Sequence, residues 1–174
     1  MQALLQAIET MALPTDAQRI FHGRGGLYPG CEHWTLDAYP PVFLLTSFQP
    51  VSDVDVDTVR AALAARWDQL APGQPLNLVF QHRDEVRADT RLVTGSVPDP
   101  HVVTEQGAQY RVHLLRAMNH GLFLDMAGGR RWVADFVAAR SRVKVLNLFA
   151  YTCAFSVVAV RAGARQVTNV DMSG

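Results

Sequence analysis

Hydrophobic residues along this chain switch between helical and strand spacing often enough to sketch most of its elements. Leu4, Leu5, Ile8 and Met11 recur at helical spacing within Gln2 to Ala12, and Pro14 limits that helix. His33 to Tyr39 alternates loosely and Val42 to Phe48 is strongly apolar. With Tyr39-Pro40-Pro41 between them, they predict two antiparallel strands joined by a short turn. Asp55 or Asp57 is placed to cap a helix running to about Leu70, with Val59, Leu63 and Trp67 on one face and Ala71-Pro72-Gly73 as its stop. Leu76 to Gln81 reads as a further strand. His82 to Pro100 is polar and irregular, with a strand expected only near Leu92-Val93. Val102 to Leu115 predicts a hairpin that turns at Gln106-Gly107, with Tyr110, Val112 and Leu114 alternating. Residues 15–115 therefore read as a small α+β unit with several antiparallel strands.

The pattern changes after Met118. Gly121 to Met126 is apolar, and Gly129 to Ala139 is amphipathic, with Trp132, Val133, Phe136 and Val137 on its inward face. Val143 to Phe149 is a nearly continuous apolar run, as expected of a strand covered on both faces. Ala150 to Ala154 makes a tight connection, Phe155 to Ala162 reads as a helix ended by Gly163, and Val167 to Val170 is a second strand that finishes on Asp171. Strand, small-residue turn, helix, strand and acid form one βαβ unit. The expected division is an accessory α+β domain over 1–117 and the start of a Rossmann-like α/β domain over 118–174.

Composition narrows the picture modestly. The chain is 49% hydrophobic and 18% charged, with 16 acidic against 16 basic residues, which fits a folded domain and demands neither nucleic acid nor an anionic membrane. Its two cysteines, Cys31 and Cys153, are far apart and read as free thiols of a reducing compartment. The first residues lack a basic start, and no apolar run approaches the ~20 residues that span a bilayer, so a cytoplasmic location is expected. The six histidines are scattered, and no metal site is expected. The glycine-rich run from Phe21 to Gly30 follows no strand signal and precedes no lysine with Ser or Thr, which favours a structural turn over a phosphate cradle.

The βαβ unit carries the chemistry. In such a unit the first turn brings backbone N–H groups to a ligand at a helix N-terminus, and an acid at the tip of the second strand accepts from ribose hydroxyls. Asp171 lies twenty-two residues after Phe149, which suits an adenosine ribose at Asp171 and the other end of a cofactor over Ala150 to Ala154. Spacing alone leaves ordinary α/β packing as an equal alternative. A dinucleotide is disfavoured, because the turn lacks G-x-G-x-x-G and gives a diphosphate no close backbone approach.

The wording of the segment adds a resemblance. VLNLFAYTCAFSVVAVRAGARQVTNVDMS resembles the first S-adenosylmethionine (SAM) motif of class I methyltransferases, closest to the branch of large-subunit ribosomal-RNA base methyltransferases, in which N-L-F-x-Y-T-G-x-F-S leads to V-x-x-V-D-x-S. NHGLFLDMAGGRRWV resembles that branch's T-G-x-F-L-D-x-R segment, and VTEQGAQYRV its E-x-G hairpin. FHGRGGLYPGCEHWTLDAY resembles the entry to the accessory domain of related SAM-dependent methyltransferases. The resemblance implies that Phe149, Ala150, Tyr151, Thr152 and Cys153 form the loop under the methionine end of SAM. It places the ribose on Asp171 and the adenine near Met172, with Phe123 and Asp125 closing the pocket from upstream. Phe123 and Phe149 serve equally as core residues, and Asp125 equally as the cap of the following helix. Cys153 and Ala154 stand where the family favours glycine, so a positive φ at either would be strained. Cys153 has no histidine nearby in sequence and fits a small apolar role better than a nucleophile. Ala127 replaces the arginine of F-L-D-x-R, with Arg130 and Arg131 as the nearest substitutes.

The resemblance also implies RNA, of ribosomal type, as substrate. Further strands, a second acid and a D-P-P-x-F substrate motif would then lie beyond Gly174, and no catalytic residue is assigned within the chain. Two parallel strands without a third neighbour would leave an apolar edge and face uncovered, so the chain is expected to be unstable or to self-associate. A second function class is a non-catalytic module that contacts RNA or a protein through the accessory domain. The even charge and the lack of an aromatic–basic stripe weigh against RNA affinity there. A nicotinamide enzyme is disfavoured by the missing glycine fingerprint.

Overall fold

A computed structural model describes residues 1–84, 88–116 and 119–172. Helix α1 (Gln2–Thr10) precedes a five-stranded sheet of β1 (Gln18–His22), β2 (Trp34–Tyr39), β3 (Val42–Ser47), β4 (Asn77–Arg83) and β5 (Ala88–Thr94), with α2 (Asp53–Leu70) between β3 and β4. The strands lie in sequence order and pair antiparallel except for β3 and β4, which are parallel. A parallel neighbour needs a long crossover, and α2 supplies it; the sheet is mixed rather than antiparallel throughout. Ser52 starts α2 in place of the expected aspartates: its hydroxyl accepts from Asp55 N–H while Asp55 accepts from Ser52 N–H, a reciprocal capping box.

Both faces of this sheet are covered, so β2 and β3 are buried at every position. One face carries Trp34, Leu36, Phe43, Leu45, Leu78 and Phe80 against α1 and α2. On the other, Tyr39, Val42, Leu44 and Val79 pack against a hairpin of β6 (His101–Glu105) and β7 (Ala108–Val112), with Leu114, Leu122 and Leu124 filling the gap.

The chain then makes a short 3-10 turn (Leu124–Met126), α3 (Ala127–Ala138), β8 (Lys144–Leu148), α4 (Ala154–Arg161) and β9 (Gln166–Val170). Strands β8 and β9 pair in parallel, from Lys144 opposite Gln166 to Leu148 opposite Val170, and α4 is the crossover. Ala154 and Val157 of α4 pack on the second core, which docks this βαβ unit against the rest. A buried ion pair fastens the same junction: the Arg130 guanidinium donates two bonds to Glu105, at 2.6 and 2.7 Å. Arg130 is thereby committed to the β6–β7 hairpin rather than standing in for the arginine that Ala127 replaces. The expected boundary at 117/118 falls outside the described residues.

Several features depart from the sequence expectation: Trp132 and Phe136 of α3, expected to face inward, are exposed, and β8, expected to be covered on both faces, leaves Leu146 and Leu148 exposed. Strand β1 starts in a stretch to which the pattern assigns no element and ends inside the run Phe21 to Gly30 read as a turn; a bulge between Arg19 and Phe21 breaks its alternation. Strand β5 runs well beyond Leu92-Val93, because an edge strand needs apolar residues on one face only.

Candidate functional site

Strand β8 leads into a connection whose backbone is unusual at every second residue. Phe149, Tyr151 and Cys153 all have positive φ (57°, 48° and 62°), although none is glycine. A left-handed backbone is strained in an L-residue. Short bonds hold the connection in place. Ala150 N–H donates to Val170 O (3.1 Å), continuing the β8–β9 ladder, and Cys153 N–H closes a turn on Ala150 O (2.7 Å). Tyr151 N–H donates to the Asp171 carboxylate (2.6 Å), joining the two ends of the βαβ unit. Cys153 is also the residue before α4, so the N-terminus of that helix opens at the connection.

Upstream residues close over it. The Thr152 hydroxyl donates to Gly121 O (2.6 Å), and the Phe123 and Tyr151 rings meet with centroids 5.3 Å apart. Phe149 and Met172 are 79% and 89% exposed, so an apolar ligand surface laid on either would lose little by displacing protein contacts. The structure thus brings Phe149 through Cys153, Asp171 and Phe123 together around one opening. Ala150 is buried beneath it, and Met172 stands beside Asp171. Asp125 turns elsewhere. It does not cap α3, whose first turn carries no side-chain cap, and instead it lines a recess with Arg19 and Asp37. The glycine expectation at position 153 is answered directly: Cys153 occupies the left-handed region itself, at φ 62°, ψ 25°.

Sequence reasoning missed the cluster that stiffens this opening from behind. Asn147 Nδ2 donates to Ser156 Oγ (2.8 Å) and to Asn169 Oδ1 (3.2 Å), and the Ser156 hydroxyl also bonds Asn169. These three polar side chains lie where β8 and β9 face α4, so they fix helix to sheet under the turn. A polar residue at an inward strand position, as Asn147 is, was the available signal.

The opening offers an acceptor for ribose hydroxyls at Asp171 and, for a carboxylate, the N-terminus of α4. It lacks the glycines that admit a diphosphate. An adenosine bearing an amino-acid end fits that donor and acceptor set better than a dinucleotide. Among the described residues no group of His, Cys, Asp and Glu is placed to hold a metal, and no helix is long and apolar enough to cross a membrane.

Comparisons with known proteins agree with this chemistry. A family model described as S-adenosylmethionine-dependent methyltransferase matches residues 18–174. Ribosomal RNA large subunit methyltransferase I of Shewanella amazonensis is 28% identical over 140 residues, covering 80% of this chain and 35% of that protein. The same enzyme of Aeromonas salmonicida is 24% identical over 140 residues, with the same coverage. A structure from Streptococcus mutans, described as a SAM-dependent methyltransferase, superposes with a TM-score of 0.71 at 25% identity, over 99% of this chain and 45% of that one. Another, of a methyltransferase complexed with S-adenosylhomocysteine (SAH), gives 0.69 at 25% identity over 99% of this chain and 44% of its own. The chain spans about a third of the length of the curated relatives it matches.

Proposed function

Because the chain belongs to the S-adenosylmethionine-dependent methyltransferase family, we propose that the opening at residues 149–153 holds SAM for methylation of a ribosomal-RNA base. The observation that carries this reading is the bond from Tyr151 N–H to Asp171, which sets a ribose acceptor directly beside the turn that opens α4. SAM supplies an electrophilic methyl group on its sulfonium. The chain's own contribution is position. Asp171 accepts from the ribose hydroxyls while still holding the turn, since a carboxylate takes several donors. The N-terminus of α4 faces the methionine carboxylate. Thr152, tied to Gly121, keeps the loop under the ligand, and Phe123 shields its methyl end from water. Methyl transfer needs the acceptor in line with the sulfonium and a base where the acceptor carries a proton, so alignment is the larger demand.

In this reading residues 1–117 form an accessory domain and 118–174 begin the methyltransferase domain, and the protein works in the cytoplasm, where ribosomal RNA is modified. The separate five-stranded and two-stranded sheets support that division, as does the likeness to relatives named as ribosomal-RNA methyltransferases. The chain alone is expected to be inactive; in a protein that carries it together with the further strands and substrate motif the resemblance implies, incubation with methyl-labelled SAM and undermodified large-subunit ribosomal RNA is expected to transfer label to one base. Label on protein, or on no macromolecule, would overturn the RNA assignment.

A further inference from the structure

The even charge of the chain conceals a separation. Residues 1–126 hold nine basic residues against fourteen acidic ones, whereas residues 127–170 hold seven basic residues and one acid, Asp135. Arg130 is committed to Glu105, and the other cations of the βαβ unit remain on its outside. Arg140, Arg142, Lys144 and Arg165 are all exposed, and among the described residues no carboxylate forms an ion pair with any of them. They gather at one end of the unit. Arg140 and Arg142 follow α3, and Lys144 starts β8. Arg165 N–H donates to Val143 O (2.8 Å), beside the first pair of the β8–β9 ladder, Lys144 opposite Gln166. Arg142 also takes a left-handed backbone (φ 60°) where glycine would be unstrained, so the turn itself does not call for this side chain. Like charges gathered without acids repel one another and complement a polyanion.

An aromatic stripe joins this end to the cofactor opening. Trp132, Phe136 and Arg140 recur every fourth residue and so lie along one side of α3. The Trp132 and Phe136 rings stack with centroids 5.2 Å apart. The Arg140 guanidinium lies 3.6 Å over the Phe136 ring and donates to Phe136 O (3.0 Å). Trp132 is 64% exposed, far more than is usual for tryptophan. Helix α3 follows directly on the turn at Leu124–Met126, next to Phe123, whose ring meets Tyr151. Its 12 residues carry the stripe about 18 Å, from the cofactor opening to the basic end. A further strand laid alongside β8 would cover the edge of β8 and leave its starting end open. Aromatic faces for bases beside cations for phosphates are what hold single-stranded nucleic acid. An acidic protein surface would match the cations and leave the exposed tryptophan unused.

We propose that α3 and the basic end of the βαβ unit form a contact surface for single-stranded RNA flanking the target base. Trp132 stacks on a base, and Arg140, Arg142, Lys144 and Arg165 meet phosphates. This rests on the methyltransferase reading above, which supplies RNA as the polyanion. Cofactor and RNA contacts then divide along the unit, with SAM at one end of β8 and β9 and the RNA strand held at the other.

The test is fluorescence anisotropy of a labelled oligouridylate with the 174-residue protein across a potassium chloride series. SAH affinity is measured by calorimetry on the same samples, and circular dichroism checks the fold of each variant. Binding is expected at low salt, with log K falling against log salt at a slope of about −3, as for four neutralised phosphates on a single strand. Arg142→Gly removes one cation and relieves the left-handed backbone, so the fold is kept while the slope shrinks by about 0.7. Trp132→Ala is expected to weaken binding about tenfold at unchanged slope. Both variants should keep the SAH affinity of the parent. Arg60→Gln, an equal charge change on α2, is expected to alter neither RNA nor SAH binding. A slope untouched by Arg142→Gly, full affinity in Trp132→Ala, or equal loss in Arg60→Gln would overturn the surface. Equal binding of polyglutamate would overturn RNA as the partner in favour of an acidic protein. Absent RNA binding with self-association that salt dissolves would overturn it in favour of a second copy. SAH binding without RNA binding would overturn the surface while sparing the cofactor site; RNA binding without SAH binding would support the surface and overturn the cofactor reading.

Discussion

Cys153 adopts a left-handed backbone that an L-residue pays for and glycine does not. That conformation costs roughly 1–2 kcal/mol, partly offset because glycine has more freedom to lose on folding. Cys153→Gly is therefore expected to stabilise the protein by about 1 kcal/mol, raising the melting temperature by roughly 3 °C in a calorimetric scan. His120 makes a prediction of the opposite kind. Burial, with the Arg83 guanidinium adding to it, pushes its imidazole down to about 4. The folded state then holds this ring neutral where the unfolded chain, with an ordinary histidine near 6.5, binds a proton. Stability from this residue is complete above about pH 6.5 and is lost as pH falls toward 4, by on the order of 3 kcal/mol at most. His101, also depressed chiefly by burial, acts in the same direction. Denaturant melts of His120→Gln against the parent should show a shallower acid loss in the variant; identical pH profiles would contradict the buried, neutral state.

Among elements, the hydrophobic pattern was legible wherever a whole face is apolar. Strands β8 and β9 and helix α4 lie close to where Val143 to Phe149, Val167 to Val170 and Phe155 to Ala162 place them. Strand β1 was illegible because its bulge shifts alternation midway, and β5 because an edge strand hides its period on the solvent side. The cofactor turn was legible through wording more than physics: spacing alone left it level with ordinary packing, and nothing in the sequence shows that three non-glycine residues adopt positive φ there. Nor did the sequence reveal that Asn147, Ser156 and Asn169 form one cluster, or that Arg130 reaches back to Glu105, because both depend on which faces meet. The Arg130–Glu105 pair is almost fully buried, at 2% and 6% side-chain exposure. Removing one partner leaves a buried charge unmatched, so Arg130→Met is expected to destabilise by about 3–5 kcal/mol. The double variant Arg130→Met with Glu105→Leu should recover much of that loss. A chemical-denaturation cycle over the three variants measures this; an additive double variant would contradict the coupling.

For the molecule as a whole, apolar surface is distributed unevenly. The five-stranded sheet is covered on both faces, whereas the β8–β9 sheet has α4 on one face only. On its other face Leu146, Leu148 and Val170 are 61%, 55% and 49% exposed, with Phe149 beside them. Contiguous patches of this kind drive association. Light scattering on the 174-residue protein is expected to show mass rising with concentration, reduced by Leu146→Lys; a monomer at all concentrations would contradict it. The two sheets share one junction, built from α4, the Gly121–Phe123 segment and the Arg130–Glu105 pair, and the proposed cofactor opening sits on that junction. Its direct test is calorimetric titration of SAH into the parent protein and into Asp171→Ala. A saturable one-to-one isotherm is expected from the parent. Loss of hydrogen bonds to a charged group is worth roughly 1.5–3 kcal/mol, so the variant should bind about ten- to a hundredfold more weakly while keeping its fold by circular dichroism. No binding by the parent at millimolar SAH, or equal affinity in Asp171→Ala, would contradict a cofactor site at this turn.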